Sequence, residues 1–216
     1  MADRHQLADL PLETLLDRLA SSDPVPGGGS AAAIAGAMGA ALVGMVAELT
    51  VGRPDYLEHE TVLQEIRAAA GERRRLLLAL ADEDAEAYQS VVAARRMAKE
   101  TEPQREARAA ALRTAMVAAA RAPLRAATVA AEVLELAGRI APIGNRNAVS
   151  DAGVAAQLSA AAIRGAVLNV RINLPYLPAG EALRETAPAE LARLEAIADE
   201  LERTALSTVD ARLGQA

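Results

Sequence analysis

An acidic segment, DEDAE from Asp82 to Glu86, places one carboxylate where a buried side chain is expected. At about 100° per residue, the arc that contains Asp84 is otherwise occupied by apolar or aromatic residues, namely Leu77, Leu80, Ala87, Tyr88 and Val91. Asp82 and Glu86 point nearly the opposite way, and Glu83 lies on the flank. Burial of a carboxylate is costly unless it is paired, hydrogen-bonded or protonated, and desolvation raises its pKa. Asp84 is therefore a candidate general acid or base, and a buried salt bridge to an arginine of another helix is an equally good interpretation.

Two further polar residues lie on an otherwise small or apolar helical face after the segment GNRNAVSDAG. Asp151 and Asn169 share this face with Leu158, Gly165 and Ile172. These residues could have purely structural roles. Asn147 or Ser150 would cap the helix, Asp151 would interact favourably with the helix dipole, and Asn169 would bond a neighbouring backbone. However, two glycine-containing loops each open a helix that looks buried, and helix N-termini are ready anion sites.

The stretch that must position these groups runs from Pro26 to Ala47 and carries no charged side chain. A triple glycine precedes Ser30, which we expect to be the N-cap of a helix enclosed on most sides. Within it, Gly36, Ala40 and Gly44 recur at every fourth position and predict a track along which another helix approaches closely.

Two alternatives for this stretch are weaker than a buried central helix. A membrane span is disfavoured because the run consists mainly of Ala and Gly, has no cationic flanks, and is the one such segment that we identify. The spacing Gly27-x-Gly29-x-x-Ala32 matches a dinucleotide-binding fingerprint, but the preceding SSDPVP cannot form the required strand.

Composition narrows the class of protein. The net charge of −6 argues against nucleic acid as a partner, and the absence of cysteine excludes disulfides and thiolate chemistry. His5 and His59 are the only histidines and lie in unrelated contexts, so we expect no metal site. The N-terminus lacks the apolar core of a signal peptide, so we expect a cytoplasmic protein without membrane contact. With no Phe or Trp and only three Tyr, the core must consist of small side chains, which favours closely packed helices and oligomerisation.

The chain reads as all-α, with residues 1–216 forming a single domain of about seven helices around the central one. Proline and glycine mark the boundaries between the helical patterns. The predicted helices are Pro11 to Ala20, Ser30 to about Thr50, Leu57 to Met97, Thr101 to Arg121, Pro123 to Gly138, Ser150 to Asn173, and Glu181 to Leu213 with a break near Pro188.

Three segments, in this order and spacing, resemble the cyclodeaminase/cyclohydrolase family. They are PVPGGGSAAAIAGAMGAALVGMVAELTVGRPDY, DEDAEAYQSVVAARRMAKE and GNRNAVSDAGVAAQLSAAAIRGAVLNVRINL. The family includes the C-terminal domain of formiminotransferase-cyclodeaminase and stand-alone methenyltetrahydrofolate cyclohydrolases. The resemblance is strongest from Leu16 to Leu174, and the tail beyond Pro175 matches only in helical character.

The resemblance implies an all-helical homodimer that acts on one-carbon forms of tetrahydrofolate without metal, nucleotide or other cofactor. The family's D-x-D-A-E-A-(Y/F) motif maps its acid/base aspartate to Asp84, which the helical wheel also selects. Its substrate-binding positions map to Lys99 and to two loops, one with Gly27, Gly28, Gly29 and Ser30 and the other with Asn145, Asn147, Ser150 and Asp151. We add Asn169, from its place on the helical face.

The sequence departs from the family at two points. The family's R-(L/M)-P-K is Arg96-Met97-Ala98-Lys99 here, and its GNPNA-like loop is GNRNA, with Arg146 in place of proline. Because no formiminotransferase domain is attached, we favour hydrolysis of 5,10-methenyltetrahydrofolate to 10-formyltetrahydrofolate over formimidoyltetrahydrofolate cyclodeamination. A non-enzymatic folate-binding or scaffold dimer is the other alternative, and it predicts that Asp84 is salt-bridged away from any pocket.

Overall fold

A computed structural model describes residues 6–214, and within this range the chain is helical and contains no strand. The expected all-α class is confirmed, with six α-helices in the described range rather than about seven. They are α1 (Leu12–Leu19), α2 (Gly28–Glu48), α3 (Glu60–Arg96), α4 (Glu102–Ile140), α5 (Val149–Asn173) and α6 (Ala182–Leu213). Short 3-10 segments lie at Leu7–Asp9, Pro54–His59, Arg146–Ala148 and Leu174–Tyr176.

The helix count is one lower because Pro123, where two helices were predicted to meet, lies inside a single helix, and the predicted break near Pro188 also does not occur. Pro123 lies within α4 and Pro188 within α6. A proline removes one backbone N–H and so frees the carbonyl four residues earlier. For Pro123 this carbonyl is that of Ala119, and it accepts a hydrogen bond from Asn173 Nδ2 at 2.8 Å. The side-chain amide of α5 therefore replaces the missing backbone donor, and α4 continues.

Close helix packing around α2 depends on two glycines. A Cβ atom on Gly36 would lie 3.2 Å from Leu77 of α3 and 3.3 Å from Ala162 of α5. One on Gly39 would lie 2.6 Å from Ser159 Oγ and 3.1 Å from the carbonyl oxygen of Ala155. Gly44 has no such neighbour within 4 Å, so the predicted track at Gly36, Ala40 and Gly44 is wrong in its last member.

The start of α2 also differs from the prediction that Ser30 caps it. The helix begins at Gly28, with Gly27 in extended conformation as the N-cap. Ser30 therefore lies inside the first turn, where it is fully buried, and its hydroxyl lies 2.9 Å from the carbonyl oxygen of Ala81 in α3. The serine connects α2 to α3 instead of capping α2.

One face of the bundle is apolar and open. On α2, Met38 is 54% exposed, and on α5, Leu168 and Ile172 are 63% and 67% exposed. Within residues 6–214, two helical segments are long and apolar enough to cross a membrane, Gly28–Glu48 and Arg146–Tyr176, and only the first was identified from the sequence. More than half of each apolar window is buried inside the bundle, as in the core helices of a helical domain.

Candidate active site

Asp84 lies on α3 opposite the first turn of α2, and its carboxylate contacts Ser30 and Gly29. The Ser30 Oγ atom is 3.1 Å from Asp84 Oδ2. A Cβ atom on Gly29 would lie 2.6 Å from Asp84 Cγ, so only glycine leaves room for the carboxylate at this position. Gly29 thus has a steric reason, since it lets the start of α2 lie against an acidic side chain.

The surroundings of Asp84 favour its protonated form. Burial removes water from the carboxylate and raises its pKa above the ordinary value, while hydrogen bonds from the Ser30 hydroxyl and backbone N–H act in the opposite direction. Within residues 6–214, no arginine or lysine forms an ion pair with Asp84. The alternative prediction for Asp84, a buried salt bridge to an arginine of another helix, is therefore wrong for the described part of the chain.

The Asp84 side chain lines a cleft of about 330 Å³. Three walls come from one stripe of α3, from α4 and from the C-terminal end of α5, and the N-terminal turn of α2 closes one end. The lining residues are Pro24, Val25, Gly27, Gly28, Gly29, Asp84, Tyr88, Val91, Arg95, Met116, Ala119, Asn169, Ile172, Asn173 and Tyr176. A half-buried carboxylate in a cleft of this size, lined by both polar and apolar side chains, is suited to proton transfer on a bound small molecule.

Two amides on the last turns of α5 line the cleft, and Asn169 faces a glycine of α2. Asn169 lies beside Gly28, where an added Cβ would be 3.3 Å from its Nδ2. That Nδ2 donates to the carbonyl of Gly165 at 2.9 Å, which leaves the amide oxygen as the acceptor at the cleft. Asn173 donates to the carbonyls of Asn169 and Ala119 and so joins α5 to α4 behind the cleft.

The structure brings together the first group of predicted site residues: Asp84, the three glycines Gly27 to Gly29, Ser30 and Asn169. It separates the second group, Asn145, Asn147, Ser150 and Asp151, which lie at the other end of α5. Asn169 follows Val149 by twenty positions, which is about 30 Å of helix, so this loop does not reach the Asp84 cleft of the same chain. Lys99 is exposed beyond the end of α3 and does not line the cleft.

Asn145 instead links the turn before α5 to the turn that follows α2. It is 5% exposed, its backbone N–H donates to Thr50 Oγ1 at 2.8 Å, and its Nδ2 donates to the carbonyl of Leu49. Its Oδ1 accepts from the backbone N–H of Asn147, so it caps the short 3-10 turn before α5. Neither Asn147 nor Ser150 caps α5, whose N-cap is Ala148 without a side-chain hydrogen bond.

Tyr88, Val91 and Arg95 line the cleft but were not among the predicted site residues. They follow Asp84 at intervals of four, three and four residues. That spacing keeps them on one face of α3, and it was available from the sequence. Met116, Asn173 and Tyr176 come from other elements, and their approach depends on how the helices pack.

No group of three metal-ligating side chains lies close together in residues 6–214. His59 is the N-cap of α3 and is not among the residues that line the cleft, whereas His5 lies outside the described residues.

Comparison with known proteins gives consistent results. The profile of the formiminotransferase-cyclodeaminase family matches residues 11–193. A methenyltetrahydrofolate cyclohydrolase from Methylorubrum extorquens is 42% identical over 94% of this chain and 97% of its own length. Rat formimidoyltransferase-cyclodeaminase is 31% identical over 78% of this chain, which spans only 31% of that longer protein. The crystal structure of formiminotetrahydrofolate cyclodeaminase from Thermotoga maritima superposes with a TM-score of 0.84 at 29% identity and covers 96% of this chain and 99% of its own.

Proposed function

The chain belongs to the formiminotransferase-cyclodeaminase family, and we propose that it hydrolyses 5,10-methenyltetrahydrofolate to 10-formyltetrahydrofolate. The observation that carries the proposal is a half-buried Asp84 without an ion-pair partner in residues 6–214, in a cleft that also holds Gly28, Gly29 and Asn169. The cyclohydrolase of Methylorubrum extorquens, which matches this chain over nearly the full length of both proteins, supports this reaction.

In the proposed mechanism, Asp84 acts first as a base. The substrate is a cation whose positive charge is shared by its one-carbon centre and two ring nitrogens. A water molecule attacks this carbon while the Asp84 carboxylate accepts one of its protons, which gives a neutral hydroxylated ring. The negative charge of Asp84 also stabilises the cation before the attack.

Ring opening then uses the proton that Asp84 has taken. The bond between the one-carbon centre and N5 breaks, N5 receives the proton from Asp84, and the hydroxyl loses its proton to solvent as the formyl group forms on N10. The sum is methenyl cation plus water, giving 10-formyltetrahydrofolate and one proton. A pKa raised by burial suits a carboxyl group that must both accept and return a proton near neutrality.

Ser30 suits both protonation states of Asp84 because its single hydroxyl proton has two acceptors within reach. The Oγ atom is 3.1 Å from Asp84 Oδ2 and 2.9 Å from the Ala81 carbonyl oxygen. When Asp84 is ionised, the hydroxyl donates to the carboxylate. When Asp84 is protonated, the hydroxyl donates to Ala81 and accepts from the carboxyl group.

Cyclodeamination of formimidoyltetrahydrofolate is the second candidate, and the Thermotoga maritima structure favours it specifically. In that reaction, a folate nitrogen attacks the formimino carbon, and ammonia leaves after protonation by the same carboxyl group. Both reactions pass through a tetrahedral one-carbon centre flanked by nitrogen, so both fit a single carboxyl group. Neither mechanism needs a metal or a nucleotide.

We also propose a cytoplasmic homodimer. The open apolar face on α2 and α5 supports dimerisation, since Met38, Leu168 and Ile172 are all more than half exposed. Burial of this face against a second copy would compensate for a core built mainly of alanine, valine and leucine. A soluble, charged folate substrate is consistent with a cytoplasmic location.

A paired assay tests the function. Purified protein is given methenyltetrahydrofolate, with its consumption followed, and separately formimidoyltetrahydrofolate, with ammonia measured. We expect turnover of the first substrate, and we expect Asp84→Asn to reduce kcat by about 10² to 10⁴-fold because the amide cannot transfer the proton. The matched control is Asp151→Asn, which changes the same group at the far end of α5.

Three results would contradict the proposal. Ammonia release without methenyl consumption would assign the cyclodeaminase reaction. Full activity of Asp84→Asn with loss in Asp151→Asn would move the chemistry to the second loop. Binding of tetrahydrofolate without turnover of either substrate would indicate a folate-binding protein.

A further inference from the structure

The side-chain amide of Asn173 joins two walls of the Asp84 cleft. Asn173 is the last residue of α5, and its Nδ2 atom lies 2.8 Å from the carbonyl oxygen of Ala119 in α4 and 2.9 Å from that of Asn169 in α5. Both Asn173 and Ala119 line the cleft. Within residues 6–214, the bond to Ala119 is the one side-chain hydrogen bond between α4 and α5. It therefore acts where the two helices meet a bound substrate.

The orientation of this amide follows from its two neighbours. Each neighbour is a backbone carbonyl, which can only accept, so the NH2 group faces them and donates one proton to each. Aspartate has nearly the same shape but would place an oxygen against two carbonyl oxygens. Leucine also has a similar shape, but it has no donor for the Ala119 carbonyl. The two contacts therefore require an amide at this position.

The Ala119 carbonyl depends on this donor because position 123 is proline. In an α-helix, the carbonyl of residue 119 accepts from the backbone N–H of residue 123, and proline has none. Ala119 and Pro123 are both buried, so bulk water has little access to the freed carbonyl. Pro123 and Asn173 thus form a pair in which one residue leaves an acceptor open and the other, from a different helix, fills it.

Packing alone gives α4 and α5 little resistance to sliding past each other near this bond. Around Pro123, the buried side chains of α4 are small, namely Ala115, Ala119, Ala120, Ala122, Ala126 and Ala127. Alanine forms only shallow ridges, which let helices approach closely but interlock less than larger side chains. A directional hydrogen bond between the helices therefore adds a constraint that these contacts lack.

Two large side chains of the cleft are carried by the segments that this bond joins. Met116 lies on α4, one turn before Ala119, and Tyr176 ends the 3-10 segment for which Asn173 is the N-cap. Both side chains line the cleft. A shift between α4 and the end of α5 would therefore change the separation of Met116 and Tyr176.

We propose that Asn173 is a positioning residue, whose bond to Ala119 sets the width of the cleft between Met116 and Tyr176 and so its fit to the folate substrate. This inference rests on the proposed function. Asp84 lies on α3 and is held by its contacts with Ser30 and Gly29 of α2, which this bond does not touch. Loss of the bond therefore weakens substrate binding and leaves proton transfer intact.

A cycle of variants separates positioning from folding. Wild type, Asn173→Leu, Pro123→Ala and the double variant are compared for KM and kcat with 5,10-methenyltetrahydrofolate and for the midpoint of urea unfolding. Pro123→Ala supplies a backbone N–H for the Ala119 carbonyl within α4, but it adds no bond between α4 and α5. The double variant therefore regains the satisfied carbonyl without regaining the link.

We expect Asn173→Leu to lower the unfolding midpoint and to raise KM by about three- to tenfold, the equivalent of one net hydrogen bond. Its kcat and the acidic limb of its pH profile should match wild type. The double variant should recover the unfolding midpoint of Pro123→Ala but keep the raised KM. Because its Ala119 carbonyl has a donor, the double variant keeps the test valid if Asn173→Leu alone does not fold.

An unchanged KM in Asn173→Leu would overturn the inference. A double variant with the KM of Pro123→Ala would also overturn it, since Asn173 would then serve only to satisfy the carbonyl. The matched control is Pro188→Ala, which removes a proline from α6 outside the cleft. It should leave KM unchanged and should not restore the stability of Asn173→Leu, and restoration would refute the pairing with Pro123.

Failure of the proposed function gives a different result. If wild type does not turn over methenyltetrahydrofolate, the proposed function fails, and the calorimetric affinity for tetrahydrofolate replaces KM in the same cycle. Weaker binding in Asn173→Leu that persists in the double variant would support the inference, and equal binding in all four proteins would overturn it.

Discussion

At the scale of single residues, burial raises the pKa of Asp84 and the Ser30 hydroxyl opposes that rise. Its hydrogen bond to the carboxylate lowers a pKa that burial raises. Ser30→Ala removes the bond that stabilises the charged form, so the pKa of Asp84 should rise further. Because the mechanism begins with ionised Asp84, activity increases as pH rises through this pKa. We therefore expect the acidic limb of the kcat/KM profile to move to higher pH in the variant.

The pH profile separates this effect from a general loss of structure. At a pH well above the limb, Ser30→Ala should recover most of its activity, because Asp84 is then ionised in both proteins. Ser30→Thr keeps a hydroxyl and is the matched comparison. An activity that falls equally at every pH would show that Ser30 acts only through packing. An acidic limb at the same pH as in wild type would show that Ser30 does not influence the pKa of Asp84.

At the scale of elements, the crossing of α2 and α5 depends on the absence of a side chain at Gly39. An added methyl group would lie 2.6 Å from Ser159 Oγ and 3.1 Å from the carbonyl oxygen of Ala155, and this backbone carbonyl cannot move without shifting α5. We expect Gly39→Ala to lower the free energy of unfolding by about 1–3 kcal/mol, as overpacking does in well-packed cores. Urea denaturation followed by circular dichroism measures the change.

Gly138→Ala is the control for this prediction. Gly138 also lies inside a long helix, α4, but an added Cβ meets nothing within 4 Å. There the substitution should stabilise the protein by about 0.5–1 kcal/mol, because alanine loses less backbone entropy on folding. Equal effects of the two substitutions would mean that helix propensity, and not the α2–α5 contact, determines the outcome at Gly39.

The same elements show how far the sequence predicts the site. The periodicity of α3 identifies Asp84 because one helix fixes which residues share a face. The partner of each buried group depends on packing between helices, and periodicity does not contain this information. One example is the hydrogen bond from Asn173 to the carbonyl that Pro123 frees. It supports a single helix where the sequence predicted two. The Asn145 loop was assigned to the site from the family resemblance, although the length of α5 already separates Ser150 from Asn169.

At the scale of the whole molecule, the apolar face of α2 and α5 predicts a homodimer. Leu168 is 63% exposed, so Leu168→Glu should leave the fold of one chain intact while it places a charge in the interface. Light scattering after size exclusion should give twice the 22.4-kDa chain mass for wild type and a single chain mass for the variant. Leu213→Glu, at a 48% exposed leucine at the end of α6, should remain dimeric.

The assembly should also matter for catalysis, because Ile172 belongs to this face and lines the Asp84 cleft. A second copy seated on α5 would cover that edge and keep water from one side of the substrate. We therefore expect KM to rise in Leu168→Glu in proportion to the monomer fraction, with recovery at protein concentrations that restore the dimer. A monomeric wild type would contradict the dimer itself. A monomeric variant with unchanged KM would instead mean that one chain holds the complete site.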